Sequence, residues 1–169
     1  ICYEKLEDYK NSIFFFEKTI YINPDFIEAY NNISLIYKKI KNLTLAKEWL
    51  NKAISIDNKN FKIYFNLAAI YKIEDNLKEA IKFYEKSIQL NKNYYYSYYN
   101  LGNIYREVRD YEKSKYNYYQ ALELNKNFTL CYTNLLLATS YSENNENYLK
   151  IAKNFSKSLP VYKNKKIQF

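Results

Sequence analysis

The sequence repeats itself every 34 residues, and this period limits the possible folds more than any other feature of the chain. Aligned with itself at that offset, the chain keeps six columns of one residue class through four copies. Two columns hold tyrosine, two hold small residues, one holds bulky residues and one holds long aliphatic residues: Tyr3, Tyr37, Tyr71 and Tyr105; Tyr30, Tyr64, Tyr98 and Tyr132; Ser12, Ala46, Ala80 and Ser114; Thr19, Ala53, Ser87 and Ala121; Phe16, Leu50, Tyr84 and Tyr118; Ile20, Ile54, Ile88 and Leu122. Such a period is typical of an array of stacked structural repeats.

Each copy predicts two helices. In the second copy, apolar residues spaced three and four apart form one stripe over 30–37 and another over 43–54, with only Lys41-Asn42 between them. A break this short requires the two helices to lie antiparallel. One glycine and two prolines leave few turn residues for a sheet protein. We therefore predict an all-α chain, with helices near 8–22, 26–39, 43–56, 60–73, 77–90, 94–107, 111–124, 128–141 and 147–159.

Short polar residues mark the predicted helix starts. Just before each second helix the sequence places, in register, Asp8, Asn42, Asn76 and Asp110. We expect these side chains to cap free N–H groups. The segment Asn23-Pro24-Asp25, followed by Glu28, predicts a capping box at the start of the next helix. The small-residue columns, and Gly102 beside Ser34 and Ala68 in register, predict close helix crossings.

These columns resemble the tetratricopeptide repeat. The closest match lies in the fourth copy, at Leu101-Gly102, Tyr105, Tyr111, Tyr118 and Ala121. The resemblance implies a right-handed α-solenoid of antiparallel helix pairs. The sequence departs from the family at two kinds of turn. The usual glycine within the repeat is replaced by Glu7, Lys41, Asp75 and Arg109, and the closing proline is kept only as Pro24, with Asn58, Lys92 and Lys126 in its place elsewhere.

In this frame the chain is a single array. We expect a partial repeat at 1–26, full repeats at 27–60, 61–94 and 95–128, a divergent last repeat at 129–160 and a basic tail at 161–169. Pro160 is expected to end the last helix. The sequence has no methionine and begins inside a first helix, as expected of a fragment of a longer protein.

The resemblance implies that the first helices line a concave groove that holds a segment of another protein. With each repeat numbered from Ile27, Phe61, Tyr95 and Thr129, the groove-facing positions are 2, 5, 6, 9, 12 and 13. The predicted groove residues form an amide column, a cationic column and apolar neighbours: Asn32, Asn66, Asn100 and Asn134, with Asn103; Lys38, Lys72 and Arg106; Phe65 and Tyr99.

The amide column predicts binding to a peptide backbone, because an amide side chain both donates and accepts hydrogen bonds. The cationic column and the net charge of +8 favour an acidic partner segment. A similar asparagine ladder lines the groove of the O-linked N-acetylglucosamine transferases. The alternative is therefore a substrate-recognition region of such an enzyme, with its catalytic domain outside this sequence. The lysine and arginine pattern that clamps a chaperone C-terminal carboxylate is absent.

The sequence argues against other functions for this chain. It lacks histidine, and neither Cys2 nor Cys131 has a general base or a metal-ligand partner near it in sequence, so we expect no enzyme activity, metal or cofactor. The tyrosines recur in packing columns and only two arginines are present, which disfavours nucleic-acid binding. No apolar run is long enough to span a membrane. We expect an intracellular protein with two reduced cysteines. The sequence does not indicate the oligomeric state or the identity of the partner.

Overall fold

The structure is a computed structural model that describes residues 2–141 and 145–158. Over those residues it contains helices and turns but no strand, which confirms the all-α prediction. The helices are α1 (Cys2–Ile22), α2 (Ile27–Lys39), α3 (Leu43–Ile56), α4 (Phe61–Ile73), α5 (Leu77–Leu90), α6 (Tyr95–Glu107), α7 (Tyr111–Leu124), α8 (Thr129–Ser140) and α9 (Asn145–Ser158). From α2 to α8, each bound lies within one residue of its predicted place.

The chain divides into two compact units, residues 1–92 and 93–169. The first unit contains α1 to α5 and the second contains α6 to α9. In both units, consecutive helices pack against each other, most extensively within the pairs α2/α3, α4/α5 and α6/α7. This stacking of helix pairs is the arrangement of an α-solenoid.

The turn inside each pair reverses the chain through a residue in the left-handed conformation. Lys41, Asp75 and Arg109 have φ values of 62°, 59° and 61°. In the first of these turns, the Lys41 N–H donates to the Lys38 carbonyl at 3.1 Å and the Asn42 N–H donates to the Tyr37 carbonyl at 2.9 Å. The other two turns have the same pair of bonds. This pattern is the Schellman motif, in which glycine is the favoured residue.

The residue after each left-handed position also starts the next helix, as predicted. The Asn42, Asn76 and Asp110 side chains accept hydrogen bonds from the N–H groups of Leu45, Glu79 and Lys113. One residue thus closes the first helix with its backbone and caps the second with its side chain.

The turn between repeats is fixed by a tyrosine hydroxyl. Tyr30 donates to the Pro24 carbonyl at 2.9 Å, and Tyr64 donates to the Asn58 carbonyl at 3.0 Å. Both acceptors are backbone oxygens at the closing-proline position. Any residue supplies that oxygen, and this explains why asparagine can replace the proline there.

The repeat columns form the core in each unit. In the first unit, Ala46, Leu50 and Ala53 of α3 pack with Ile63, Leu67 and Ile70 of α4. In the second unit, Tyr118 and Ala121 of α7 pack with Cys131, Leu135 and Ala138 of α8 and with Ile151 of α9. Gly102 lies against this core, since a Cβ atom there would stand 2.8 Å from the Tyr118 ring.

Two predictions about helix starts are wrong. α1 runs unbroken from Cys2 to Ile22, so Asp8 lies inside a helix and does not cap one. Inside a continuous helix the N–H groups after Asp8 bond to carbonyl groups of the preceding turn, so they need no side-chain cap. α2 begins after Phe26 with no side-chain cap, so Asp25 and Glu28 form no capping box. The Asn23 side chain instead accepts from the Asp25 N–H within the turn. The predicted helix end at Pro160 and the basic tail lie outside the described residues.

Replacing Lys41 with glycine should stabilise the fold. A left-handed lysine is strained by its Cβ atom, so Lys41→Gly should raise the free energy of unfolding by about 0.5–1 kcal/mol. The matched control is Glu48→Gly, at an exposed position inside α3, which should lower it by a similar amount. Urea unfolding monitored by circular dichroism measures both. Equal destabilisation by the two glycines would contradict the strain argument.

Cys131 should be inert in the folded chain. Its side chain is buried, and burial raises the pKa of the thiol to about 12, so the reactive thiolate is scarce at neutral pH. In a Cys2→Ser variant, Ellman's reagent at pH 8 should react with Cys131 only slowly, and at once after unfolding in guanidinium chloride. Fast reaction of the folded variant would show that the thiol is accessible.

Candidate functional site

The candidate site is the surface formed by groove-facing positions of the first helices, here called the first-helix face of each unit. In the first unit this face belongs to α2 and α4, and in the second unit to α6 and α8. Position 2 is exposed in all four helices, and position 12 is half-buried in α2, α4 and α6. These side chains line the face from one edge to the other.

In the first unit, the predicted amides differ in their partners. The Asn66 Nδ2 donates to the Asn31 Oδ1 at 2.6 Å, which joins α4 to α2 across 35 residues of sequence. Asn66 is only 8% exposed. Asn32 is half-buried, has no hydrogen-bond partner in the described part of the chain and borders two cavities of about 470 and 450 Å³. Asn66 therefore links repeats, whereas Asn32 faces open space.

The first unit also presents its predicted cations beside apolar surface. Lys38 lines the second cavity with Tyr9, Phe16 and Leu35, and burial lowers the pKa of its ammonium group. Lys72 is half-buried at the equivalent position of α4. Phe65 packs edge-on against the Tyr84 ring of α5, with centroids 5.6 Å apart, so part of its side chain serves the core.

In the second unit, a hydrogen-bond network joins three helices. The Asn134 Nδ2 of α8 donates to the Tyr99 hydroxyl at 3.0 Å and to the Asn103 Oδ1 at 2.8 Å, both on α6. The Tyr118 hydroxyl of α7 donates to the same Asn103 oxygen at 2.7 Å. Burial raises the pKa of Tyr118 to about 12, so this hydroxyl stays protonated and remains a donor. The network holds all four side chains in fixed orientations.

The remaining predicted residues of the second unit lie apart from this network. The Asn100 Nδ2 donates to the Tyr96 carbonyl in its own helix at 3.0 Å. Arg106 is half-buried, and its charge offsets part of the effect of burial on the Tyr118 pKa. Asn100 therefore does not join the inter-repeat bonds that Asn66 and Asn134 make within their own units.

The amide groups keep unused hydrogen-bonding capacity. Within the described residues, the Oδ1 atoms of Asn66 and Asn134 accept no hydrogen bond, and the Nδ2 of Asn103 donates none. Each of these side chains is nevertheless held in place by its other polar atom. The face thus offers oriented donors and acceptors suited to a peptide backbone.

Sequence reasoning missed two features of these faces. It did not identify the acceptors of the amide column, although Asn31 and Tyr99 stand 35 residues before Asn66 and Asn134. It also missed an apolar surface in the second unit, where Leu130, Leu137 and Tyr141 are exposed. The signal for the second feature was the absence of charged residues from 129–140.

The described residues contain no group of histidine, cysteine, aspartate or glutamate placed to hold a metal ion. Among the described helices, none combines the length and the apolar character needed to cross a membrane.

Truncating Asn103 and truncating Asn32 should have different effects on stability. Asn103→Ala leaves the buried Tyr118 hydroxyl without its acceptor and removes one of the two acceptors of the Asn134 amide, so the free energy of unfolding should fall by about 1–3 kcal/mol. Asn32→Ala removes no described hydrogen bond and should change it by less than about 0.5 kcal/mol. Denaturant unfolding measures both, and equal effects would contradict the assigned network.

Comparisons with known proteins agree with this architecture. Two family models, both described as tetratricopeptide repeat, match residues 2–26, 27–60 and 60–127. Two crystal structures of MamA superpose with TM-scores of 0.79 and 0.77 at 22% identity, covering 92% of this chain and 91% and 85% of theirs. YrrB, described as a TPR protein with an unusual peptide-binding site, superposes with a TM-score of 0.71 at 16% identity, covering 94% of this chain and 82% of that one. No curated protein sequence is significantly similar. These identities show the fold alone, while the family models together span residues 2–127, so the chain belongs to the tetratricopeptide-repeat family.

Proposed function

We propose that this chain is a scaffold for protein–protein interaction, whose first-helix faces hold extended segments of partner proteins. The observation that carries the proposal is the set of oriented amides with unused capacity, Asn66, Asn103 and Asn134. A side-chain amide that is already held through one polar atom loses little conformational entropy when its other polar atom binds a ligand. The structurally similar YrrB is described as having a peptide-binding site, which supports peptide binding as the use of this fold.

The partner segment is proposed to be acidic where it meets the cationic column. Lys38, Lys72 and Arg106 are half-buried, and a carboxylate beside such a cation is less screened by water than at an exposed site. Burial lowers the Lys38 pKa, and a bound carboxylate would favour the charged form and raise it again. Charge attraction also steers the encounter, in keeping with the net charge of +8.

The expected affinity for a short segment is modest. Each amide hydrogen bond contributes about 0.5–1.5 kcal/mol net, while association itself costs roughly 4–15 kcal/mol. Apolar contacts with Phe65 and Tyr99 and the attraction of opposite charges must supply the balance. The alternative is a substrate-recognition region of an enzyme resembling the O-linked N-acetylglucosamine transferases. It predicts the same contacts between these faces and the bound segment, and it places a catalytic domain outside this sequence.

Removing the half-buried cations should weaken binding of an acidic peptide. The probe is a fluorescein-labelled twelve-residue peptide of alternating Glu and Ser, followed by fluorescence anisotropy. The double variant Lys38→Gln, Lys72→Gln should bind it roughly 2- to 30-fold more weakly, at about 0.2–1 kcal/mol for each ion pair. Raising the salt concentration should weaken binding to the unaltered chain.

The control is Lys59→Gln with Lys92→Gln, which removes the same charge from exposed turns. It should leave the affinity within a factor of about two of the unaltered chain. Asn32→Ala tests the amide column without disturbing a described hydrogen bond, and it should also weaken binding. If both lysine double variants lost the same affinity for the peptide, the first-helix face would not be the binding surface. The same conclusion would follow if only substitutions on the second helices weakened binding.

A further inference from the structure

α8 is apolar on both sides, although it lies on the first-helix face of the second unit. Its inner side buries Cys131, Leu135 and Ala138 in the core. Its outer side exposes Leu130 by 54% and Leu137 by 44%, and Tyr141 directly after the helix is 64% exposed. The segment 129–140 contains no charged residue. A helix without charged residues that exposes leucines on the side away from its core is suited to contact with a partner on that side.

α6 extends this surface. Tyr96 is exposed, and Tyr99 is held beside α8 by the hydrogen bond from Asn134. The side chains at these groove-facing positions of α6 and α8, with Tyr141 after α8, are here called the apolar patch: Tyr96, Tyr99, Leu130, Thr133, Leu137 and Tyr141, of which Tyr141 also stacks on the Tyr111 ring of α7 at 5.3 Å. At position 2 the first unit has Glu28 and Lys62 where the patch has Tyr96 and Leu130. The exchange of charged for apolar side chains at one repeat position indicates a different preference in the second unit.

The unused polar atoms of the hydrogen-bond network favour one backbone conformation for a segment bound at this patch. The Asn134 Oδ1 is ready to accept a hydrogen bond and the Asn103 Nδ2 is ready to donate one, and their orientations are fixed by Tyr99 and Tyr118. A helical partner uses its own backbone N–H and C=O groups internally, so its backbone cannot satisfy this pair. An extended segment presents both groups along its edge.

Building on the proposed function, we propose that the apolar patch binds an extended partner segment whose side chains on that side are apolar and uncharged, with its backbone bonded to Asn103 and Asn134. The absence of charged residues from α8 argues against acidic side chains beside this helix, because a carboxylate there would lose water without gaining a cation from α8, while Arg106 belongs to α6 and lies outside the patch. From Leu130 to Tyr141 the helix spans about 16 Å, which an extended segment of about five residues covers.

The test is a selection of random twelve-residue peptides displayed on phage against three forms of the full chain. These are the unaltered chain, Leu137→Lys within the patch and Leu124→Lys outside it. Leu124 is a matched control, since it is 41% exposed at the end of α7 and is not in the patch. The unaltered chain and Leu124→Lys should enrich peptides with apolar residues at every second position. Leu137→Lys should not. Circular dichroism checks that the variants are folded.

A synthetic copy of one enriched peptide then gives the size of the effect. Leu137→Lys should weaken its binding by about 10-fold or more, as expected from the loss of one buried leucine contact. Methylation of one central backbone nitrogen of the peptide should also weaken binding, because it removes the N–H that meets Asn134. Unchanged affinity after methylation at each central position in turn would overturn the backbone assignment.

Other outcomes separate this inference from the proposed function. Enrichment of only acidic peptides, sensitive to Lys38→Gln with Lys72→Gln, would overturn the apolar preference and leave the scaffold proposal standing. Peptides with apolar residues spaced three and four apart would indicate a helical occupant and overturn the inference. Dimerisation abolished by Leu137→Lys in analytical ultracentrifugation would assign the patch to a second copy of the chain. No enrichment by any form would overturn both proposals.

Discussion

The helix pairs depend on a turn in which one residue adopts a left-handed backbone. Lys41, Asp75 and Arg109 each hold this conformation, and the Schellman bonds around them close one helix just before the next begins. The following residue caps the second helix with its side chain. Because the reversal takes so few residues, the two helices are forced side by side, and the small residues at their crossing let them approach. The repeat columns become a core only under this constraint.

The fold was largely readable from the sequence because the same local signals recur in each copy. The caps at Asn42, Asn76 and Asp110 were predicted correctly, since helix starts depend on short-range hydrogen bonds. The break before Asp8 was not found, although Asp8 has the same register. A cap acts only where two packed helices require a turn, and packing is not encoded by the capping residue alone.

The candidate site was predicted less completely, because a column in a sequence does not show how its side chains are used. Asn32, Asn66, Asn100 and Asn134 share one repeat position, yet they have four different environments. For Asn66 and Asn134, the hydrogen-bond partner is set by the preceding repeat of the same unit. Asn66 meets an amide there and Asn134 meets a tyrosine hydroxyl, so identical residues acquire unequal roles. The unused atoms on the same side chains are what remains for a ligand.

The amide bonds between repeats also determine how the chain reaches its structure. The bonds from Asn66 to Asn31 and from Asn134 to Tyr99 each span 35 residues, about one repeat. Each of these bonds closes a stretch of chain no longer than about one repeat, so its entropic cost stays small however many repeats the array contains. Stability then accumulates by nearest-neighbour coupling, so folding can nucleate in any repeat and spread to the next. An array held together in this way can gain or lose a repeat without a redesign of the rest.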